Sequence, residues 1–103
     1  MGLDFTILGV DRRPQFSYEI GVDEHHRFLL VAAKHELSLL SRMKEFYEDT
    51  DYSADEIPTL IAELEALKTF ESADININET ANQLLIISHK AISLRLGISV
   101  LAD

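Results

Sequence analysis

The sequence predicts an α+β domain: a small antiparallel-rich sheet packed on three helices, in the order ββαααβ. Three observations carry this. Leu3/Phe5/Ile7 and Phe16/Tyr18/Ile20 place apolar residues at every second position, which is strand period. Residues 23–48, 57–70 and 80–96 place apolar residues three and four apart, the period of amphipathic helices. A β-branched apolar run, residues 98–101, follows directly on Gly97. At 103 residues the chain suits a single domain, 1–103, with one modest core.

The first strand is expected over residues 3–9, where Asp4, Thr6 and Leu8 alternate with the apolar set. Asp11-Arg12-Arg13-Pro14 supplies a turn, with Pro14 fixing φ, so the two runs read as a hairpin. Gly21 ends the second strand, and Asp23 is the expected N-cap of the element that organises the rest. That element is one unbroken helix over residues 23–48. Phe28, Leu29, Ala32, Leu39, Leu40, Met43, Phe46 and Tyr47 line its apolar face, and residues 50–52 are where it stops.

Ser53-Ala54-Asp55-Glu56 has the form of a capping box, in which hydroxyl and carboxylate each bond the other's amide. Pro58, which has no N–H, belongs in the first helical turn, so the second helix starts near Ile57. Ile57, Leu60, Ile61, Leu64 and Leu67 form its buried stripe, with Glu63 read as opposite, and it ends around Phe70. Residues 71–77 read as a loop, with Asn78 as N-cap of the third helix. That helix, 80–96, is apolar around most of its circumference, and Gly97 is its expected left-handed C-terminal residue. The last strand then returns to pair with the first. The expected core joins Leu3 or its neighbours, Phe5, Ile7, Phe28, Leu29, Ala32, Leu39 and Met43 to Leu60, Leu64, Leu84, Ile87, Ala91 and Ile92.

The net charge of −9 is unevenly spread. Residues 45–79 hold eleven acids and one base, Lys68, a balance of −10, while the rest of the chain is +1. Such a surface repels nucleic acid and anionic membrane and attracts a basic protein surface. Glu45, Glu48, Asp49, Asp51, Asp55, Glu56 and Glu63 are the candidate partner-binding face. The absence of cysteine excludes disulfide and thiolate chemistry and fits a reducing compartment, and no apolar run reaches membrane-spanning length. A cytoplasmic location is therefore expected.

Four polar residues interrupt the apolar patterns: Glu36 and His25 on the long helix, Ser88 and Arg95 on the third. A buried carboxylate demands a partner, so a buried polar cluster of Glu36, Arg95, His25 and Ser88 is expected, either as a structural ion pair or as a small pocket. No catalytic or cofactor motif is present. His25 and His26 point about 100° apart on a helix, which does not suit one metal ion. The run of acids from Asp49 to Asp55 lacks a calcium loop's sixth-position glycine, being Ala54, and its twelfth-position glutamate, being Leu60.

The opening Met1-Gly2-Leu3-Asp4-Phe5, with Ser17-Tyr18 and then His26-Arg27-Phe28, resembles a group of small bacterial and phage proteins of unknown function. The resemblance covers the first third of the chain and implies a bacterial origin, with no site residues. The function expected from the residues is a non-enzymatic protein-interaction module, of the immunity or inhibitor kind. The alternative is a homodimer, joined through the third helix or the last strand's edge, that binds a small ligand or acts as a minor enzyme in a pocket near Glu36, Arg95 and His25.

Overall fold

A computed structural model describes residues 2–7, 17–42 and 50–102. Four strands form one antiparallel sheet: β1 (Gly2–Ile7), β2 (Ser17–Gly21), β3 (Thr50–Tyr52) and β4 (Ile98–Ala102), in the order β2-β1-β4-β3. The α+β class and the terminal strand pairing are as the sequence predicts. β1 is central, with Phe5 opposite Tyr18 on one side and Val100 on the other. β4 is an inner strand, because β3 pairs beyond it with Tyr52 opposite Ile98. The expected open edge on the last strand is therefore occupied, and the edges are β2 and β3. β3 escapes the sequence reading because it is three residues long and sits in an acidic stretch. Only Tyr52, which is completely buried, marks it as part of the core.

The expected single helix over 23–48 is broken. α1 (Val22–Lys34) ends, the chain turns at His35 and Glu36, and a short α2 (Ser38–Ser41) restarts. Leu37 N–H donates to Ala32 C=O at 2.9 Å and Glu36 N–H to Ala33 C=O at 3.2 Å. This pairing is a Schellman motif, which needs a left-handed residue at the turn. Glu36 supplies it, with φ 57°. Buried Leu37 and Ala32 make the accompanying apolar pair. Apolar spacing resumes in phase at Leu39 and Leu40, which is why periodicity alone reads straight through the break. Met43, Phe46 and Tyr47 lie outside the described residues. α1 begins one residue before Asp23, with Gly21 at the cap position.

Ser53 and Glu56 form the expected capping box on a single turn (Ala54–Glu56) of 3₁₀ helix that leads into α3 (Ile57–Phe70). α4 (Ile75–Leu94) starts earlier than expected. Asp74, not Asn78, is its cap, with Oδ1 accepting from Ile77 N–H at 3.1 Å. Asn78 bonds outward instead, its Nδ2 donating to the Glu71 and Asp74 carbonyls. At the other end Arg95, φ 58°, takes the left-handed position expected for Gly97. Leu96 N–H donates to Ala91 C=O and Arg95 N–H to Ile92 C=O, a second Schellman motif.

The helices cover one sheet face. Phe5, Ile7, Ile20, Tyr52, Ile98 and Val100 from the sheet meet Phe28, Ala32 and Leu40 from α1 and α2, and the stripes of α3 and α4. Ile92, expected in the core, is 40% exposed, while its neighbour Ala91 is completely buried and takes the core-facing position of that turn. On the opposite face, Thr6 lies between Ser17 and Ser99, and its buried hydroxyl has no hydrogen-bond partner.

Candidate functional site

The acidic face resolves into two kinds of carboxylate. Glu45, Glu48 and Asp49 lie outside the described residues. Glu63 is not opposite the buried stripe: it borders it, beside Leu60 and Leu67. Its two oxygens accept from Leu39 N–H at 3.1 Å and Leu40 N–H at 3.0 Å. These are the second and third amides of α2, which a helix cannot satisfy internally, so Glu63 caps a helix it does not belong to. Glu56 is also engaged. It accepts from Ser53 N–H at 3.0 Å and from the Arg42 guanidinium at 2.5 Å. The Ser53 amide, then Arg42, hold its carboxyl below the usual range.

Asp51 and Asp55 are different: both are exposed. Arg42 reaches this corner and anchors it. Besides Glu56 it donates to the Asp51 carbonyl at 2.5 Å, and its guanidinium stands 4.8 Å from the centre of the Tyr52 ring. The Tyr52 hydroxyl donates to the Leu39 carbonyl at 2.5 Å. Burial pushes its phenol well above the ordinary range, so it stays a neutral donor. The corner of β3, the 3₁₀ turn and the start of α3 is thus a rigid platform, and two carboxylates project from it.

A second polar cluster lies where α1 meets the α3–α4 turn. Arg27 pairs with Asp74 at 2.6 Å, and Glu71 takes both Lys34 at 3.8 Å and His35 at 2.9 Å. The His35 ring stacks on Phe70 with centroids 4.4 Å apart. An open hollow of about 480 Å³ lies beside these residues, lined by Arg27, Glu71 and Asp74 together with Phe70 and Ile75. In this cluster acids meet bases, so it neutralises the acidic segment locally and latches α1 to the helical hairpin. Exposed pairs of this type contribute up to about 1 kcal/mol. From sequence alone, residues 71–77 read as a loop. Nothing local to residues 71–74 pointed to bases that lie some forty residues upstream.

The expected buried polar cluster does not form. Glu36 and Arg95 are both exposed, and each occupies a left-handed helix terminus. Ser88 is buried but satisfied within its own helix, its hydroxyl donating to Leu84 C=O at 2.7 Å. The placement of the His25 side chain is outside the described set. Two of the polar residues that break the apolar patterns, Glu36 and Arg95, mark chain reversals. Among the described residues no three His, Asp or Glu side chains converge as a metal ion requires, and no helix is long and apolar enough to cross a membrane. No protein-family model matches the sequence, and no curated protein or solved structure matches it either.

Proposed function

We propose that the protein is a non-enzymatic interaction module that meets a basic protein surface with the platform carrying Asp51 and Asp55, in the manner of a small inhibitor or immunity protein. The observation that carries this reading is the split among the acids. Glu56, Glu71 and Asp74 face bases from α1 and the end of α2, and Glu63 is committed to a helix cap. Asp51, Asp55, Glu65 and Glu79 are left exposed, against Lys68 as the only base between residues 50 and 79. Charges held on a rigid base steer an oppositely charged partner without a large ordering cost on binding.

The test is retention of partners from a lysate of the producing cell at low and high salt, using wild type and an Asp51→Asn/Asp55→Asn variant. A partner held by wild type at low salt, released by high salt and poorly held by the variant is the expected result. Recovery of no salt-sensitive partner, or equal recovery by the variant, would refute the reading.

A further inference from the structure

The exposed face of α4 carries a regular stripe. Ile75, Glu79, Asn82, Ile86, His89 and Ser93 follow one another at spacings of four, three, four, three and four residues. This alternation keeps the six on one line along a helix and is the repeat that lets two helices lie side by side at a shallow angle. All six are exposed, and the apolar pair is strongly so: Ile75 at 75% and Ile86 at 58%. No described element covers them.

Laid against a copy of itself antiparallel, the stripe sets an acid opposite a base. Laid antiparallel about a two-fold axis at the level of Leu84, position n meets position 168 − n. Glu79 then faces His89 of the second helix, with Lys90 beside it. Asn82 faces Ile86, and Ile75 faces Ser93. Each contact occurs twice, as a closed two-fold interface requires. A parallel alignment in register would set Glu79 against Glu79 and His89 against His89, which opposes like groups. The surface relief agrees with the antiparallel arrangement. A shallow hollow of about 500 Å³ is lined by Ile86, His89, Lys90 and Ser93. That is where the first turn of the second helix, with its protruding Ile75, would fall.

We infer that a second copy of this chain docks on the outer face of α4, forming an antiparallel homodimer through Ile75, Glu79, Asn82, Ile86, His89 and Ser93. The contact is small and mixed in polarity, so the dimer is weak and exchanges readily. It is independent of the Asp51/Asp55 platform, and either surface can fail without the other.

Sedimentation velocity over a concentration series at low salt tests this, with circular dichroism confirming that each variant is folded. All the changes are at exposed positions. Wild type is expected to show a concentration-dependent monomer–dimer equilibrium. Ile86→Asp should weaken it by at least about tenfold. Glu79→Lys and His89→Glu should each weaken it, and the two together should restore it, because the swap again sets an acid opposite a base in both layers. A protein that remains monomeric throughout the series overturns the inference. So does a dimer that Ile86→Asp leaves intact, or a charge swap that fails to restore association.

Discussion

Two helices in this molecule start in opposite ways. The start of α3 is written locally: Ser53 and Glu56 exchange bonds across three residues, and Pro58 sits where its missing N–H costs nothing. The start of α2 is written elsewhere. Its amides at Leu39 and Leu40 are satisfied by Glu63, and the Leu39 carbonyl is met by Tyr52 from β3. The same chemical need, orphan amides at a helix start, is met once from inside the element and once from another helix. α3 can therefore begin to form on its own. A four-residue α2 cannot, since a single turn lies far below the length at which helices persist alone. It exists because β3 and α3 are already in place.

The strongest way to break that contrast is Tyr52→Ala. Tyr52 is fully buried, pairs β3 to the sheet and holds α2 by its hydroxyl. Removing it should cost about 4 kcal/mol, chiefly for the core cavity, with the hydroxyl's bond to the Leu39 carbonyl lost as well. Tyr52→Phe keeps the ring and should cost about 1 kcal/mol. Chemical denaturation of both variants measures the difference. If the two are equally harmful, the hydroxyl and not the packing holds this corner.

A sharper comparison is Glu63→Ala against Ser53→Ala. The first leaves the Leu39 and Leu40 amides without partners in a half-buried setting and should cost about 2 kcal/mol. The second removes one half of an exposed capping box and should cost about 1 kcal/mol. In a domain of this size the first corresponds to a fall in Tm of roughly 10 °C and the second to about half that. Amide exchange separates them by place as well as size. Glu63→Ala should loosen residues 38–41 while α3 stays protected. Equal loosening of α3 would mean that the distant cap is no more than a local feature of its own helix.

The same distinction explains what was legible in the sequence. The α+β class, the capping box and the stripe of α3 depend on period and near neighbours, and all are readable. Tyr52 as a strand residue, Glu63 as a cap and the Arg27–Asp74 and His35–Glu71 contacts depend on residues far apart in sequence. No pattern within a window of one or two turns contains them. The expected polar cluster failed for a further reason. Glu36 and Arg95 are out of place on an apolar face, but a buried pair between them requires each helix to continue past its charged residue. A charged residue on a core stripe can also mean that the helix has ended one residue earlier.

Those two positions form an intermediate case: the Schellman bonds are local, but the residue that enables them is not the glycine that usually announces the motif. Glu36 and Arg95 hold φ near +57° with a full side chain, in a region where a Cβ crowds the following carbonyl. Glycine removes that crowding but is freer in the unfolded chain, so the two effects partly offset. The crowding term is the larger, about 1–2 kcal/mol against about 0.5–1 kcal/mol. Glu36→Gly and Arg95→Gly should therefore each stabilise by about 0.5–1 kcal/mol, and being at separate termini they should add. Thermal melts of the single and double variants would show a Tm raised stepwise. A fall at position 36 alone would mean that the Glu36 side chain contributes something the strain is tolerated for. The break between α1 and α2 would then be held by that side chain as well as by the backbone.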